Sequence, residues 1–203
     1  MEILSQPLLQ MATILSLLLL FHLAFFRRFY FINPYAYFTS ELASTAFPST
    51  ILLGRELRRG RLPRDPYYYQ DYTGIPFLSS FYPPHMLVSM LTNMMPLNQG
   101  YILYMLGLML HFLWASLGTY LLFTCYNSIL ALLSAILLPY SAYCIKQNSS
   151  IIYTLSWLPW LLLGADTRSV DLLGTAIGAT LLAGYWPLGI LNIGLSIVWW
   201  LSH

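Results

Sequence analysis

Long apolar runs alternate with short polar breaks along most of this chain. The first run, Leu8 to Phe26, stops abruptly at Arg27-Arg28. A long polar segment follows, rich in Arg, Pro and Tyr, reaching to about residue 100. Within it, Ser49 to Arg59 predicts a short helix after Pro48, with Ser49 as its N-cap. Met86 to Met95 predicts an interfacial or re-entrant helix, too short to span. Tyr101 to Cys125 and Ile129 to Ile145 predict two spans separated by Tyr126-Asn127-Ser128. Ile151 to Ala165 predicts a shorter span kinked at Pro159, and Asp166-Thr167-Arg168 a turn. Val170 to Trp186 and Pro187 to Leu201 predict the last two spans, with Pro187 in a first helical turn. Trp157, Trp160, Trp186, Trp199 and Trp200 near span ends predict an interfacial belt. The expected fold is all-α, a polytopic transmembrane helix bundle of about six spans. Residues 8–26 form the first span, 27–100 an extramembrane loop with interfacial helices, and 101–203 a helical bundle.

Composition agrees with this division. Of the 203 residues, 58% are hydrophobic and 8% charged, and the mean hydropathy is +0.66. A soluble domain carries roughly 25% charged residues, so the pattern points to a protein of the lipid bilayer. The net charge is +2 and no lysine-rich stripe is present, which argues against a nucleic-acid partner. Cys125 and Cys144 form no metal motif, and His22, His85, His111 and His203 show no ligand spacing. No metal site and no cofactor are expected; a divalent ion is compatible but not indicated. His111, alone in a span, reads as hydrogen-bonded packing. The N-terminus opens with Glu2 and no basic residue, so the first run reads as a retained helix.

Charge sharpens the picture because it is concentrated. Seven of the nine basic residues, all arginine, and four of the seven acids lie between Arg27 and Asp71. Arg55, Arg58 and Arg59 share one face of the Ser49–Arg59 helix, opposite Leu53 and Leu57. The planar guanidinium fork suits phosphate oxygens. That face fits either one lipid phosphate or the anionic headgroup layer in general. The next segment carries Tyr67, Tyr68, Tyr69 and Gln70, then Tyr82 and His85. Tyrosines beside carboxylates and a Gln fit a sugar site, and equally a structural loop with interfacial tyrosines. Carboxylates are the candidate general bases, Glu41 first and Asp71 second. Glu56 and Asp65, flanked by arginines, read as charge balance. The arginine bias places the loop in the cytoplasm, although about sixty residues is near the length at which that rule stops counting.

The order of motifs resembles the first extracytoplasmic loop of the bacterial YfhO-like membrane proteins. Gly60-Arg61-Leu62-Pro63 leads to Asp65-Pro66-Tyr67, then Gly74-Ile75-Pro76-Phe77-Leu78, then Phe81-Tyr82-Pro83-Pro84. Leu117-Gly118-Thr119-Tyr120-Leu121-Leu122, Trp157-Leu158-Pro159-Trp160 and Leu182-Ala183-Gly184-Tyr185-Trp186-Pro187 follow in the family's order. The resemblance runs from about Glu41 to the C-terminus. It implies a GT-C-type glycosyltransferase in the bacterial inner membrane, with the long loop on the extracytoplasmic side. Such enzymes pass a sugar from a polyprenyl-phosphate donor to a cell-envelope acceptor. Glu41 stands where the family pattern has Asp, and Thr45 where it has Gln. The chain is shorter than family members, which implies an N-terminal half working with a further half or a partner membrane subunit. The rival expectation is a non-catalytic membrane subunit that keeps the fold and binds partner helices.

Overall fold

The computed structural model describes residues 2–34, 46–61, 81–141 and 149–202, with side chains from residue 10 in the first stretch and 150 in the last. Every regular element among them is helical. Helix α1, Glu2–Phe25, runs through the first apolar stretch and passes into a π-helical turn, Arg28–Ile32, that buries Phe29. Helix α2 is Phe47–Arg58 and α3 is Pro83–Thr92. Both start on prolines, whose missing N–H is harmless in a first turn. The α2 N-cap is Ala46, so Ser49 lies inside the helix and the expected Ser49 cap is corrected.

Helix α4, Leu97–Phe123, is the axis of the molecule. It is the one helix among the described residues long and apolar enough to cross a membrane. Its 27 residues span about 40 Å, against a hydrocarbon core of about 30 Å. Helix α5, Ser128–Leu137, starts where the Asn127 side chain accepts from the amides of Ile129 (2.8 Å) and Leu130 (3.1 Å). It ends before Pro139, well short of the Ile145 expected from hydropathy. The kink expected at Pro159 is an interruption of one residue, Trp157, whose φ of −92° and ψ of −12° stay right-handed. Helix α6, Ser149–Ser156, and α7, Leu158–Asp166, meet at Trp157. Helix α8, Val170–Leu182, is shorter than expected because the chain reverses at Gly184, whose φ of 101° suits glycine. Helix α9 is Trp186–Ser202, with Pro187 in its first turn as expected. The shorter apolar stretches among the described residues are Gln10–Phe25 within α1, Ser128–Leu137, Val170–Leu182 and Trp186–Ser202.

Specific contacts fix how these helices stack. Helices α2 and α3 run parallel. His85 meets Thr50 near the start of both, Gly54 faces Ser89 midway, and at their ends Arg58 donates to the Asn93 carbonyl (3.3 Å), while the Asn93 side chain reaches back to donate to the Ile51 carbonyl (2.8 Å). Helix α3 runs antiparallel to α4, with Tyr82 beside His111 and Thr92 beside Gly100. Lower on α4, Phe26 meets Phe112 (ring centroids 5.4 Å apart), and Leu18 clusters with Tyr120, Ala131 and Ala135. Trp160 stacks on Trp114 at 4.1 Å. Helices α8 and α9 close against α6 and α7 through Gly164 facing Leu173 and through Asn192 donating to Thr154 O (3.4 Å). Helices α1, α5 and α6–α7 therefore gather around the C-terminal half of α4, and α8 and α9 pack outside them on α6 and α7. Helices α2 and α3 flank its N-terminal half. Trp157 and Trp160 turn inward, unlike the expected belt, whereas Trp186 and Trp200 are 55% and 44% exposed.

Candidate functional site

Two groups of the expected site residues can be located. Glu41, Asp71, Tyr67, Tyr68, Tyr69 and Gln70 lie outside the described residues. Arg55, Arg58, Arg59, Tyr82 and His85 are described, and they separate into two places.

The arginines gather where α2 and α3 end together. Arg55, Arg58, Arg59 and Arg61 are all exposed. Arg58 reaches the Asn93 carbonyl, and Arg59 pairs with Glu56 at 3.0 Å. That exposed pair contributes about 0–1 kcal/mol. Two parallel helix C-termini present carbonyls and a combined charge of about −1. Four arginines against one glutamate leave +3 over residues 55–61. The helix ends therefore offset only part of the positive charge. Arg55 and Arg61 have no acidic partner among the described residues.

Tyr82 and His85 instead face the interior, between α3, α4 and α6. The His111 Nδ1 lies 2.7 Å from the Gly107 carbonyl, which can only accept. The ring therefore carries its proton on Nδ1, and Nε2 accepts from the Tyr82 hydroxyl at 2.9 Å. The same hydroxyl oxygen accepts from the Trp157 indole N–H at 2.8 Å. The Tyr82 hydroxyl thus donates to His111 and accepts from Trp157 at once. Thr50 donates to the Ala46 carbonyl (2.8 Å), which leaves its oxygen to accept from His85 Nε2 at 3.1 Å. Tyr153 covers this group, with ring centroids 4.5 Å from His111 and 5.5 Å from His85. A second buried group forms lower down, where His22 meets the Tyr140 hydroxyl at 2.8 Å and the Tyr30 hydroxyl at 2.9 Å.

The expected substrate-binding residues therefore do not form one surface. Tyr82 and His85 satisfy their hydrogen bonds internally, while the arginines stay at the periphery. Trp157 and Tyr153 were not anticipated as partners of His111. A histidine in an apolar run is a signal that polar partners exist, because an unpaired ring nitrogen in hydrocarbon is expensive. It does not say which partners.

His111 also lies between two openings. On one side is an apolar cleft of about 700 Å³ between α1, α3 and α4, lined by Leu15, Leu19, Leu87, Val88, Leu110 and Trp114 among others. On the other is a smaller apolar cavity of about 260 Å³ bounded by Thr119, Leu138, Pro139 and Leu155. Among the described residues no three His, Cys, Asp or Glu side chains converge on a metal-sized site. Comparison with protein-family models, with curated proteins and with solved structures finds no match for the chain in any of the three.

Proposed function

We propose that the chain is a membrane-embedded glycosyltransferase of the GT-C type, or the N-terminal half of one. It takes a sugar from a polyprenyl-phosphate donor and passes it to a cell-envelope acceptor. The bundle around the C-terminal half of α4 sits in the bacterial inner membrane, and α2, α3 and the long loop stand on its extracytoplasmic side. Glu41 acts as the general base, with Asp71 as the second candidate. The arginine group holds the donor phosphate, and Tyr67, Tyr68, Tyr69 and Gln70 shape the sugar site. The observation that carries this reading is the arginine charge at the shared end of α2 and α3, which lacks full acidic compensation among the described residues. A lipid phosphate at the membrane surface needs such a seat. Tyr82 and His85 become supports of that seat, since Thr50 and His85 tie α2 to α3.

The test is transfer from a radiolabelled hexose polyprenyl phosphate in membranes carrying the chain. Glu41→Gln abolishes transfer with the protein still folded, and Arg55→Ala raises the KM for the lipid donor with kcat little changed. Full activity in Glu41→Gln refutes the assignment of the base.

The second reading, a non-catalytic subunit, is favoured by α8. Gly174 and Gly178 lie four residues apart there, and a Cβ added to either meets nothing within 4 Å. Small residues at that spacing let a partner helix approach closely. Loss of a co-purifying membrane partner in Gly174→Leu/Gly178→Leu, with no transfer activity in the wild type, selects this reading.

A further inference from the structure

Arginines at the C-terminal end of a helix ordinarily serve its unpaired carbonyls. Here the backbone does most of that work. Gly60, at a φ of 67°, turns the chain so that its own N–H reaches the Leu57 carbonyl and the Arg61 N–H reaches the Glu56 carbonyl, both at 3.0 Å. At the end of α3 the Met94 and Met95 amides close on the carbonyls of Leu91 (3.0 Å) and Thr92 (3.3 Å). Arg58 takes the Asn93 carbonyl, and Arg59 the Glu56 carboxylate. Arg55 and Arg61 are exposed and hold neither a carbonyl nor a carboxylate among the described residues. Capping therefore does not explain them. The +3 of residues 55–61 and the charge of about −1 on the two helix ends leave about +2. A phosphomonoester matches that, with about −1.5 to −2 near neutral pH. A phosphodiester has one ionisable oxygen fewer. The neighbouring residues suit the rest of a lipid. Met94 follows the Asn93 whose carbonyl Arg58 holds, and Met94, Met95 and Leu97 are 66%, 43% and 69% exposed. Apolar side chains beside guanidinium groups fit a phosphate that carries a hydrocarbon chain and give nothing to free phosphate.

We infer that the shared end of α2 and α3 binds a lipid phosphomonoester in preference to a lipid phosphodiester, with the phosphate at Arg55 and Arg61 and the start of the chain on Met94 and Leu97. What this preference does rests on the transferase reading, in which the sugar donor is a phosphodiester. Transfer breaks the bond from the anomeric carbon to the phosphate oxygen and forms one from that carbon to the acceptor oxygen. The acceptor's proton passes to Glu41 and then to solvent. The electron pair of the broken bond stays on the phosphate, which leaves as a monoester with added charge. The arginines thus hold the product more tightly than the donor. The released polyprenyl phosphate inhibits transfer until a reaction that esterifies it again removes it.

The experiment uses the full chain in phosphatidylcholine nanodiscs with radiolabelled farnesyl phosphate, a short lipid phosphomonoester. Unlabelled farnesyl phosphate, its methyl diester and inorganic phosphate are the competitors. The diester is expected to compete about tenfold less well than the monoester, a difference of about 1.4 kcal/mol, and inorganic phosphate not at all at matched concentrations. Arg55→Gln/Arg61→Gln removes the preference, whereas Arg27→Gln/Arg28→Gln, which neutralises two exposed arginines elsewhere, keeps it. Met94→Asn weakens farnesyl phosphate binding. Thermal melts of each variant check that the fold is kept. Equal competition by monoester and diester overturns the inference, and so does a preference that survives in Arg55→Gln/Arg61→Gln. Inorganic phosphate competing as well as farnesyl phosphate overturns the lipid assignment and gives the seat to free phosphate. Binding is read without turnover. Preferential binding in a chain that transfers no sugar therefore supports the inference and removes the transferase reading, and transfer without the preference does the reverse.

Discussion

Adding one methyl group at Gly54 tests the packing that brings the arginines together. An alanine Cβ there would lie 2.7 Å from the Ser89 carbonyl carbon, closer still to its oxygen, and 3.0 Å from Asn93 Cβ. The obstacle is the backbone of α3, which cannot swing aside as a side chain does. Overpacking of this kind costs about 3 kcal/mol. Parting the helices also breaks the Thr50–His85 and Asn93–Ile51 bonds, at about 1 kcal/mol each. Alanine returns about 1 kcal/mol of helix propensity. The net loss is about 4 kcal/mol if both bonds go and about 2 kcal/mol if they survive. Gly174→Ala is the matched control, because its Cβ meets open space and only the gain of up to about 1 kcal/mol remains. Thermal melts of both variants in one detergent, with tryptic cleavage at Arg55, Arg58 and Arg61 as a local probe, read the difference. Gly54→Ala melts lower and is cut faster, whereas Gly174→Ala melts at or above wild type. Equal melts and equal cleavage refute the close parallel packing of α2 and α3, and with it the shared arginine end.

Three further outcomes follow from the same contacts. Tyr82→Phe removes the oxygen between the Trp157 N–H and His111 Nε2 and leaves both unpaired, costing about 2–4 kcal/mol in the melt; a loss no larger than that of an exposed Tyr126→Phe would contradict the chain of bonds. His22→Phe keeps a ring but removes both nitrogens that meet the Tyr30 and Tyr140 hydroxyls, with an expected loss of about 1–3 kcal/mol, and an unchanged melting point would show that neither bond contributes. Arg61→Cys, chosen because Gly60 has a φ of 67° that a side chain tolerates poorly, is expected to react with an impermeant maleimide from outside intact cells; reaction only after permeabilisation reverses the orientation and removes the transferase reading.

Much of the helical architecture was legible in hydropathy, because the exposed and the core residues of these helices are both apolar and a continuous run is enough to mark a helix. The α4 helix and the Pro187 start of α9 follow their runs to within a few residues. The ends of α5 and α8 do not, since hydropathy sees Leu137 to Ile145 as one stretch while Pro139 stops the helix, and Gly184 turns the chain before Trp186. Ser49 looked like a cap because of its chemistry, but two positions inside a proline-started turn no cap is required of it.

The site was harder to foresee for a physical reason: its order comes from pairs far apart in sequence. His22 and Tyr140 are 118 residues apart, and Trp157 and Tyr82 are 75 apart. A tyrosine in a Tyr- and Pro-rich stretch has the same composition whether it faces a sugar or a histidine. What decides is depth along α4. Tyr82 stands beside His111, at the level where α1 ends in Phe26, and therefore turns inward with the bundle. Arg58 stands beside Asn93, beyond that level, and stays exposed. A helix of about 40 Å across a core of about 30 Å leaves about 10 Å outside, and the N-terminal end of α4 is where α2 and α3 bring the arginines. The extra length of α4, which begins four residues before the Tyr101 expected from hydropathy, thus raises one polar group out of the bundle while the other remains within it.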